Sequence, residues 1–534
     1  MNRVRILDCT LRDGGYINDF RFGEPVIRDI IAKLTKASVD IIECGFLKTG
    51  AFDPECSLYG NMAALRRHIG TKNRNLMYVA MIQYGAIGAE DIEPCDGTAA
   101  DGIRVTFHEH EIEEAFVLGK ELMAKGYKVF MQPVGTVTYT DEALLRLIGK
   151  INELKPYAFY IVDTLGTMYK NDLLRMFYLV DHNLDKKICV GFHSHNNLQL
   201  SFANAQELMQ LNTPRNLIID ASVYGMGRGA GNLHTELVTQ YINANFGLQY
   251  DNLEILEIID QYVRPLSLRY SWGYDAAYYI ASITGCHPNY GAFLLNKQTL
   301  HVQDIYAILN NLEPERRALF DKDYIAREYL RHMSRRVDDS GALAELAARL
   351  GGKKVLLLAP GKTLAEFTGR VIDLASSGEY VTVSVNFIPE QIPVDVAFIS
   401  NMKRFRGVQE LAEHSQRNIR VVVTSNIDTG ECPDVTVVNY DSFINAEQYI
   451  VDNAGLMCMN LLKKLGVRSL LLAGFDGFGD NQRENYYDAA LGMDVEAERL
   501  HRMNIATAAK ISQLKTQMDI GFLTRSVYDR EGKR

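Results

Sequence analysis

The sequence predicts a mixed α/β protein: an N-terminal (β/α)8 TIM barrel, a helical extension, and a smaller C-terminal doubly wound α/β domain. Three observations predict it. Eight short apolar, β-branched runs begin near Val4, Val39, Asn75, Asp101, Tyr127, Tyr157, Lys187 and Asn216, roughly one every 30 residues. Helical patterns such as EPVIRDIIAKLTKA, EEAFVLGKELMAKG and DEALLRLIGKINELK fill the gaps, with apolar residues recurring at the helical period. A second alternation of strands and helices starts after a change of composition near Gly351. Eight regular units with no reversal of pattern favour a closed barrel over an open sheet.

Residues 1–245 hold the eight units. Residues 246–350 turn helical, with LEILEIIDQYVR, VQDIYAILNNL and YIAREYLRHM and no β-run of similar strength; they are expected to pack on the barrel. Residues 351–534 carry KKVLLLAPGKT, YVTVSVNFIP, VDVAFIS, IRVVVTS and SLLLAGFDGF, separated by helical stretches. Strands alternating with helices in this way predict a parallel, Rossmann-like sheet.

Composition narrows the function classes. The 534 residues are 47% hydrophobic and 23% charged, which excludes a disordered tail, a collagen-like repeat or a small disulfide scaffold. Lys and Arg number 57 against 66 Asp and Glu, a net charge of −9, so a general nucleic-acid binder is not expected, although one basic pocket for a phosphate fits. Eight scattered cysteines form no C-x-x-C, the start MNRVRILDCTLRDGG lacks the apolar stretch of a signal peptide, and no apolar run reaches 18 residues. These point to a reducing, cytoplasmic location without membrane or disulfides.

In a barrel of this kind, chemistry sits on the loops after the C-terminal ends of the strands. Strand 1 runs into Arg12-Asp13-Gly14-Gly15, which puts a guanidinium and a carboxylate at the barrel mouth. Strand 7 ends in His193-Ser194-His195. Residues i and i+2 of a strand share a face, so both imidazoles can converge on one ion. Strand 8 leads into Gly225-Met226-Gly227-Arg228-Gly229-Ala230-Gly231-Asn232, whose glycines let the backbone come close to a ligand.

The motifs TLRDGG, IIECGF, DTLG, GFHSHNN and GRGAGN, in this order on successive strands, resemble the metal-dependent aldolase/lyase/synthase superfamily. That superfamily includes 4-hydroxy-2-oxovalerate aldolases, hydroxymethylglutaryl-CoA lyases and isopropylmalate or homocitrate synthases. The resemblance covers about the first 240 residues. It implies that Asp13, His193 and His195 ligate a catalytic divalent cation (Mn2+, Mg2+ or Co2+ ahead of Zn2+), with Asn232 completing or supporting the shell. It further implies that Arg12 stabilises an enolate oxygen and that Glu43 is a carboxylate near the metal. The expected activity is that of a carbon–carbon lyase, cleaving a 4-hydroxy-2-oxo acid through a metal-bound pyruvate-type enolate to a 2-oxo acid and an aldehyde. A Claisen-type acyl-CoA synthase and a non-catalytic binding barrel are the alternatives, and a homo-oligomer is expected.

One position departs from the pattern. Pyruvate-type aldolases of this group place a histidine, taken as the general base, two residues beyond the aspartate–glycine pair; here Tyr16 stands there. With a reference pKa near 10, tyrosine is the poorer base at neutral pH. His108 and His110 after strand 4 are the candidates to replace it. Tyr274 or Tyr278, in the segment that opens with Trp272-Gly273, would correspond to the post-barrel tyrosine of the family's aldolases.

In the C-terminal series, Pro360-Gly361-Lys362-Thr363 suggests a phosphate loop, but a Walker motif needs glycine at position 356 and the residue is Leu356. The series resembles the nucleotide-binding fold of bacterial sialyltransferase-like proteins, with a less glycine-rich first loop. A nucleotide or phospho-sugar is then expected at the switch-point loops near Gly361, Asn386, Asn401 and Asp476, the alternative being a domain for assembly or gating.

Overall fold

Eight parallel strands form the first sheet: β1 (Val4–Asp8), β2 (Ile41–Leu47), β4 (Met77–Gln83), β5 (Gly102–Phe107), β6 (Lys128–Pro133), β7 (Ala158–Asp163), β8 (Cys189–Ser194) and β9 (Leu217–Ala221), with the two-residue β3 (Leu58–Tyr59) added outside β2. β1 pairs with β9 (Leu7 beside Asp220) and with β2 (Leu7 beside Ile41), so the sheet closes on itself. The chain is a (β/α)8 barrel over this stretch, and each strand starts within two residues of the run that predicts it. The computed structural model describes residues 4–529 except 415–417, 431, 433, 480–484 and 489–496.

The chain divides into two compact units, residues 1–292 with 309–320 and residues 293–308 with 321–534. Residues 246–350, read from the sequence as one helical extension, are shared between the two. In the first unit, helices such as Glu24–Lys36, Ile112–Ala124 and Asp141–Leu154 bury an apolar face on the barrel through Ile27, Ile30, Leu118, Leu122, Leu147 and Ile151. Strands covered on both sides must be apolar nearly throughout, which is why they stand out in the sequence.

The barrel interior is only partly apolar. Leu7, Ile41, Val79, Phe130, Val162 and Ile218 fill one region, but Arg104 and Asp220 are also buried inside. Arg104 Nη2 bonds Asp220 Oδ2 and Arg104 Nη1 donates to Glu43 Oε2 at 2.8 Å. The Tyr160 hydroxyl donates to Asp220 Oδ1 at 3.0 Å, and its ring lies 4.7 Å below the Arg104 guanidinium. Gly191 makes room for that ring: a Cβ there would lie 2.3 Å from it.

The second unit holds a seven-stranded parallel sheet: β10 (Lys354–Leu358), β11 (Tyr380–Val385), β12 (Val396–Ile399), β13 (Arg420–Thr424), β14 (Val435–Val438), β15 (Ser469–Ala473) and β16 (Asp519–Phe522), in the order β14-β13-β12-β11-β10-β15-β16. The strand order reverses between β10 and β15, so the loops leaving these two strands diverge and open a crevice. All eight cysteines are free thiols. Among the described residues no helix is long and apolar enough to cross a membrane.

Replacing Arg104 by Leu leaves Asp220 without its guanidinium in the barrel interior. The expected loss is about 3–5 kcal/mol of unit stability. The only tryptophan, Trp272, lies in this unit, so its fluorescence in a urea titration reports the transition; an unchanged midpoint would contradict a structural role for Arg104.

Candidate metal centre and substrate cavity

Asp13 follows β1 and is wholly buried. The last two residues of β8 and the one after it are His193, Ser194 and His195, and the alternation of a strand turns both imidazoles the same way. Asp13, His193 and His195 each offer a ligand atom, all within 4.8 Å of one another. The two rings stand nearly perpendicular, with centroids 5.2 Å apart. His193 Nδ1 is bonded to Asp220 Oδ2 at 3.0 Å, which fixes the ring and leaves Nε2 for an ion, as metal-binding histidines commonly require.

Asn232 reaches this spot from the glycine loop. Its backbone bridges to His195, and its Nδ2 donates to Asp13 Oδ2 at 2.6 Å and Met226 O at 3.1 Å. The loop must come this close: a Cβ on Gly231, at φ +80°, would lie 2.0 Å from Gly225 O, and one on Gly227 would lie 2.3 Å from Asn232 Nδ2. Among the described residues, His195 Nδ1 and Asn232 Oδ1 are buried without a hydrogen-bond partner. Buried polar atoms are seldom left so. A carboxylate, two imidazoles and an amide oxygen fit a divalent cation with positions open for a bidentate substrate.

Charge at the site agrees. Burial alone would raise the Asp13 carboxyl, but the neighbouring Arg12 guanidinium, with a smaller pull from Arg228, holds it well below the usual range. Burial pushes His195 down to about 3, against a smaller opposing pull from Asp13. The carboxylate is thus ionised and the imidazole neutral, the forms that ligate. Asp220 is also raised by burial and lowered more strongly by Arg104 and His193.

Arg12 is held from two sides, its Nε donating to Glu43 Oε2 at 2.7 Å and its Nη1 to Asp13 Oδ1 at 3.0 Å. Its Nη2 has no partner among the described residues. Glu43 touches Arg12 and Arg104 and is outside the three-residue ligand group. A cavity of about 250 Å3 is lined by Arg12, His193, His195 and Tyr16. The Tyr16 ring packs edge-on against Phe20 and Phe46, centroids 5.1 and 5.9 Å away, under the Arg228 guanidinium at 4.2 Å.

Of the two histidines after β5, His108 lines the cavity and His110 does not; the His110 side chain is 70% exposed and faces Glu111. Trp272, Tyr274 and Tyr278 are also absent from the lining, Tyr278 packing instead near Gly229. The post-barrel segment contributes His287, Asn289 and Phe320. His287 Nδ1 accepts from Asn289 N at 3.1 Å, which places the proton of the neutral ring on Nε2. Sequence reasoning missed Arg104, Asp220, Arg228 and His287. For the first two a signal existed, a charge inside an otherwise apolar strand run (GIRVTF and NLIID).

Replacing both His193 and His195 with Ala should abolish binding of one divalent ion per chain in a calorimetric titration while leaving the circular dichroism unchanged. Asp220→Asn, which touches no ion itself, should weaken metal binding about 10–100-fold. Parent-like binding by the double variant would overturn the ligand assignment.

Known proteins match part of this chain. Residues 110–260 match the HMGL-like family model. A 4-hydroxy-2-oxovalerate aldolase of Geobacillus genomosp. 3 is 27% identical over 271 residues, 49% of this chain and 77% of that protein. An oxaloacetate decarboxylase of Mycobacterium tuberculosis is 28% identical over 232 residues, 43% of this chain and 67% of that protein. Among solved structures, the N-terminal domain of an aldolase-like protein from Bacteroides vulgatus is 26% identical and covers 55% of this chain and 96% of that one, with a TM-score of 0.48. The barrel unit of this chain, in which the matched segment lies entirely, carries an HMGL-like domain.

Proposed function

We propose that the barrel is a divalent-metal-dependent carbon–carbon lyase that cleaves a 4-hydroxy-2-oxo acid to pyruvate or a close 2-oxo acid and an aldehyde. The observation that carries the reading is the convergence of the buried Asp13, His193 and His195 beside Arg12 on one cavity. A bound divalent ion there supplies Lewis acidity toward the 2-oxo group, and Mn2+, Mg2+ or Co2+ suits the mixed N and O donors.

The chain's own residues do the rest. Asp13 and the two imidazoles would hold the ion, and Asn232 steadies Asp13 through Nδ2. Arg12, gripped by Glu43 and Asp13, keeps Nη2 for the oxygen that becomes negative as the carbon–carbon bond breaks. A donor fixed before the reaction needs no reorganisation when charge develops. The phenyl rings of Phe20 and Phe46 pack edge-on against Tyr16 and narrow the access of water, while the carbon left negative takes up one proton before the 2-oxo acid is released. The proton of the 4-hydroxyl must leave as the bond breaks. We assign its relay to the Tyr16 hydroxyl, which lines the cavity and takes this proton as it passes its own to the carbon left negative; His287 turns Nδ1 to the Asn289 amide and presents Nε2–H as a donor.

A second reading follows from Tyr16 itself. Decarboxylation of a 2-oxo diacid uses the same enolate but removes no hydroxyl proton, so it tolerates a weak base at this place; the mycobacterial relative is named for that reaction. Cytoplasmic action on free small molecules suits either reading.

Purified, metal-loaded protein should release pyruvate from 4-hydroxy-2-oxovalerate or a homologue, detected by coupled reduction. Release only from oxaloacetate, with none from any hydroxy-oxo acid, selects the decarboxylase. Arg12→Lys should lower kcat about 10²-fold with metal content unchanged, because the amine loses the planar fork. Tyr16→Phe should lower aldolase turnover about 10²–10⁴-fold; full activity in that variant together with a dead His108→Ala would move the proton transfer to strand 4.

A further inference from the structure

The second unit has its own cavity, of about 210 Å3, at the carboxyl ends of β10, β11, β12 and β15. That is where the strand order reverses, the general position for ligands in open parallel sheets. Its chemistry is uneven. Lys297, Arg499 and the start of the helix Ala454–Lys464 line it together with Phe475, Phe478 and Tyr486, and the Phe475 ring lies against Gly455.

The usual anion seat of such a sheet, the turn after its first strand, is already filled. Asp476, from the loop after β15, accepts from Thr363 N at 2.7 Å and also bonds the Thr363 hydroxyl. A phosphate could not share that seat with a carboxylate. Gly361 and Gly474 are explained by the same closure, since a Cβ on Gly474 would lie 2.0 Å from Ala359 O.

Other lining groups suit negative charge. The Lys297 side chain is only 14% exposed and, among the described residues, its one close carboxylate is Asp452 at 4.0 Å, already accepting from the Tyr329 hydroxyl at 2.8 Å. Burial holds the Lys297 amine below its ordinary value, and Arg499 adds to that, so an anion between these cations would relieve both. Asn453 caps the helix through Leu456 N, while Ala454 and Gly455 line the cavity with first-turn amides that no carbonyl of their own helix can reach. Arg499, Met503 and Thr507 line it from one face of the helix Ala497–Lys515, four residues apart. Thr507 is 2% exposed and lies beside the Tyr528 hydroxyl, which donates to Asn504 Oδ1 at 2.9 Å.

We propose that this cavity binds a small phosphate ester with a ring-bearing body, its phosphate against Lys297, Arg499 and the amides of Ala454 and Gly455, its ring among Phe475, Phe478 and Tyr486. The shared chemistry is a phosphate joined to a flat or weakly polar ring, supplied by a nucleotide or by a sugar phosphate. The site is separate from the barrel centre and does not depend on the reaction assigned there.

Calorimetric titration of the full chain with ADP, UDP, CMP, glucose 1-phosphate and inorganic pyrophosphate tests it. At least one organic phosphate should bind with a Kd of about 0.1 mM or tighter, and pyrophosphate at least tenfold more weakly. A tighter nucleotide identifies the body as a base; a tighter glucose 1-phosphate identifies it as a sugar. Arg499→Met and Lys297→Met should each weaken that binding tenfold or more, as loss of a charged partner does, and Arg499→Met, on a half-buried helix position, carries the test should Lys297→Met fail to fold. The variant with Ala at both 193 and 195 should bind like the parent. The proposal fails if no organic phosphate binds, if pyrophosphate binds as well as they do, if Arg499→Met binds like the parent, or if the histidine variant loses binding.

Discussion

Arg104 is the residue on which the barrel site depends. Its guanidinium, with no exposed surface, ties Glu43 to Asp220 across the interior of the barrel. Asp220 in turn orients His193, and Glu43 holds Arg12. One buried cation thus sets both an imidazole of the candidate metal centre and the arginine facing its cavity. Such an arrangement is costly to bury and gives its return as fixed geometry rather than as net stability. It also explains why the strands carry charges where a barrel core would ordinarily hold Val, Ile or Leu.

The charges around the cavity suit the proposed chemistry. Arg12, Arg104 and Arg228 equal Asp13, Glu43 and Asp220 in number, with His195 kept neutral by burial. A divalent cation adds two positive charges, and the dianion formed from a 2-oxo acid on carbon–carbon cleavage brings two negative ones. The site is therefore closest to neutral when the enolate is present, which favours that state over the free acid. Tyr16 sits at the edge of this balance, its ring pressed under Arg228, where the chain departs from the histidine its family resemblance leads one to expect.

Much of this was legible in the sequence because of how barrels bury their strands. All eight runs covered on both faces announced themselves, and Asp13, His193 and His195, which the resemblance implied as ligands, lie together at the ends of two strands. β14 and β16 were not, being four-residue strands at the two edges of the second sheet, with burial too uneven to stand out. Arg104 and Asp220 lay in plain view as charges within apolar runs, yet their partners are 61 and 116 residues from Arg104, and spacing does not reveal that. His287 comes from a turn well beyond the barrel, where nothing local distinguishes it from a surface histidine. Glu43, placed near the metal by resemblance, grips the two arginines.

The central claim is that this site stabilises the enolate of a 2-oxo acid, whatever aldehyde or carboxylate leaves. Proton NMR of pyruvate in D2O tests that without knowledge of the natural substrate. With the Mg2+-loaded protein, the methyl signal should decay as deuterium enters through the enolate, and it should persist when His193 and His195 are both replaced by Ala. A methyl signal that persists equally with the parent protein would contradict the account.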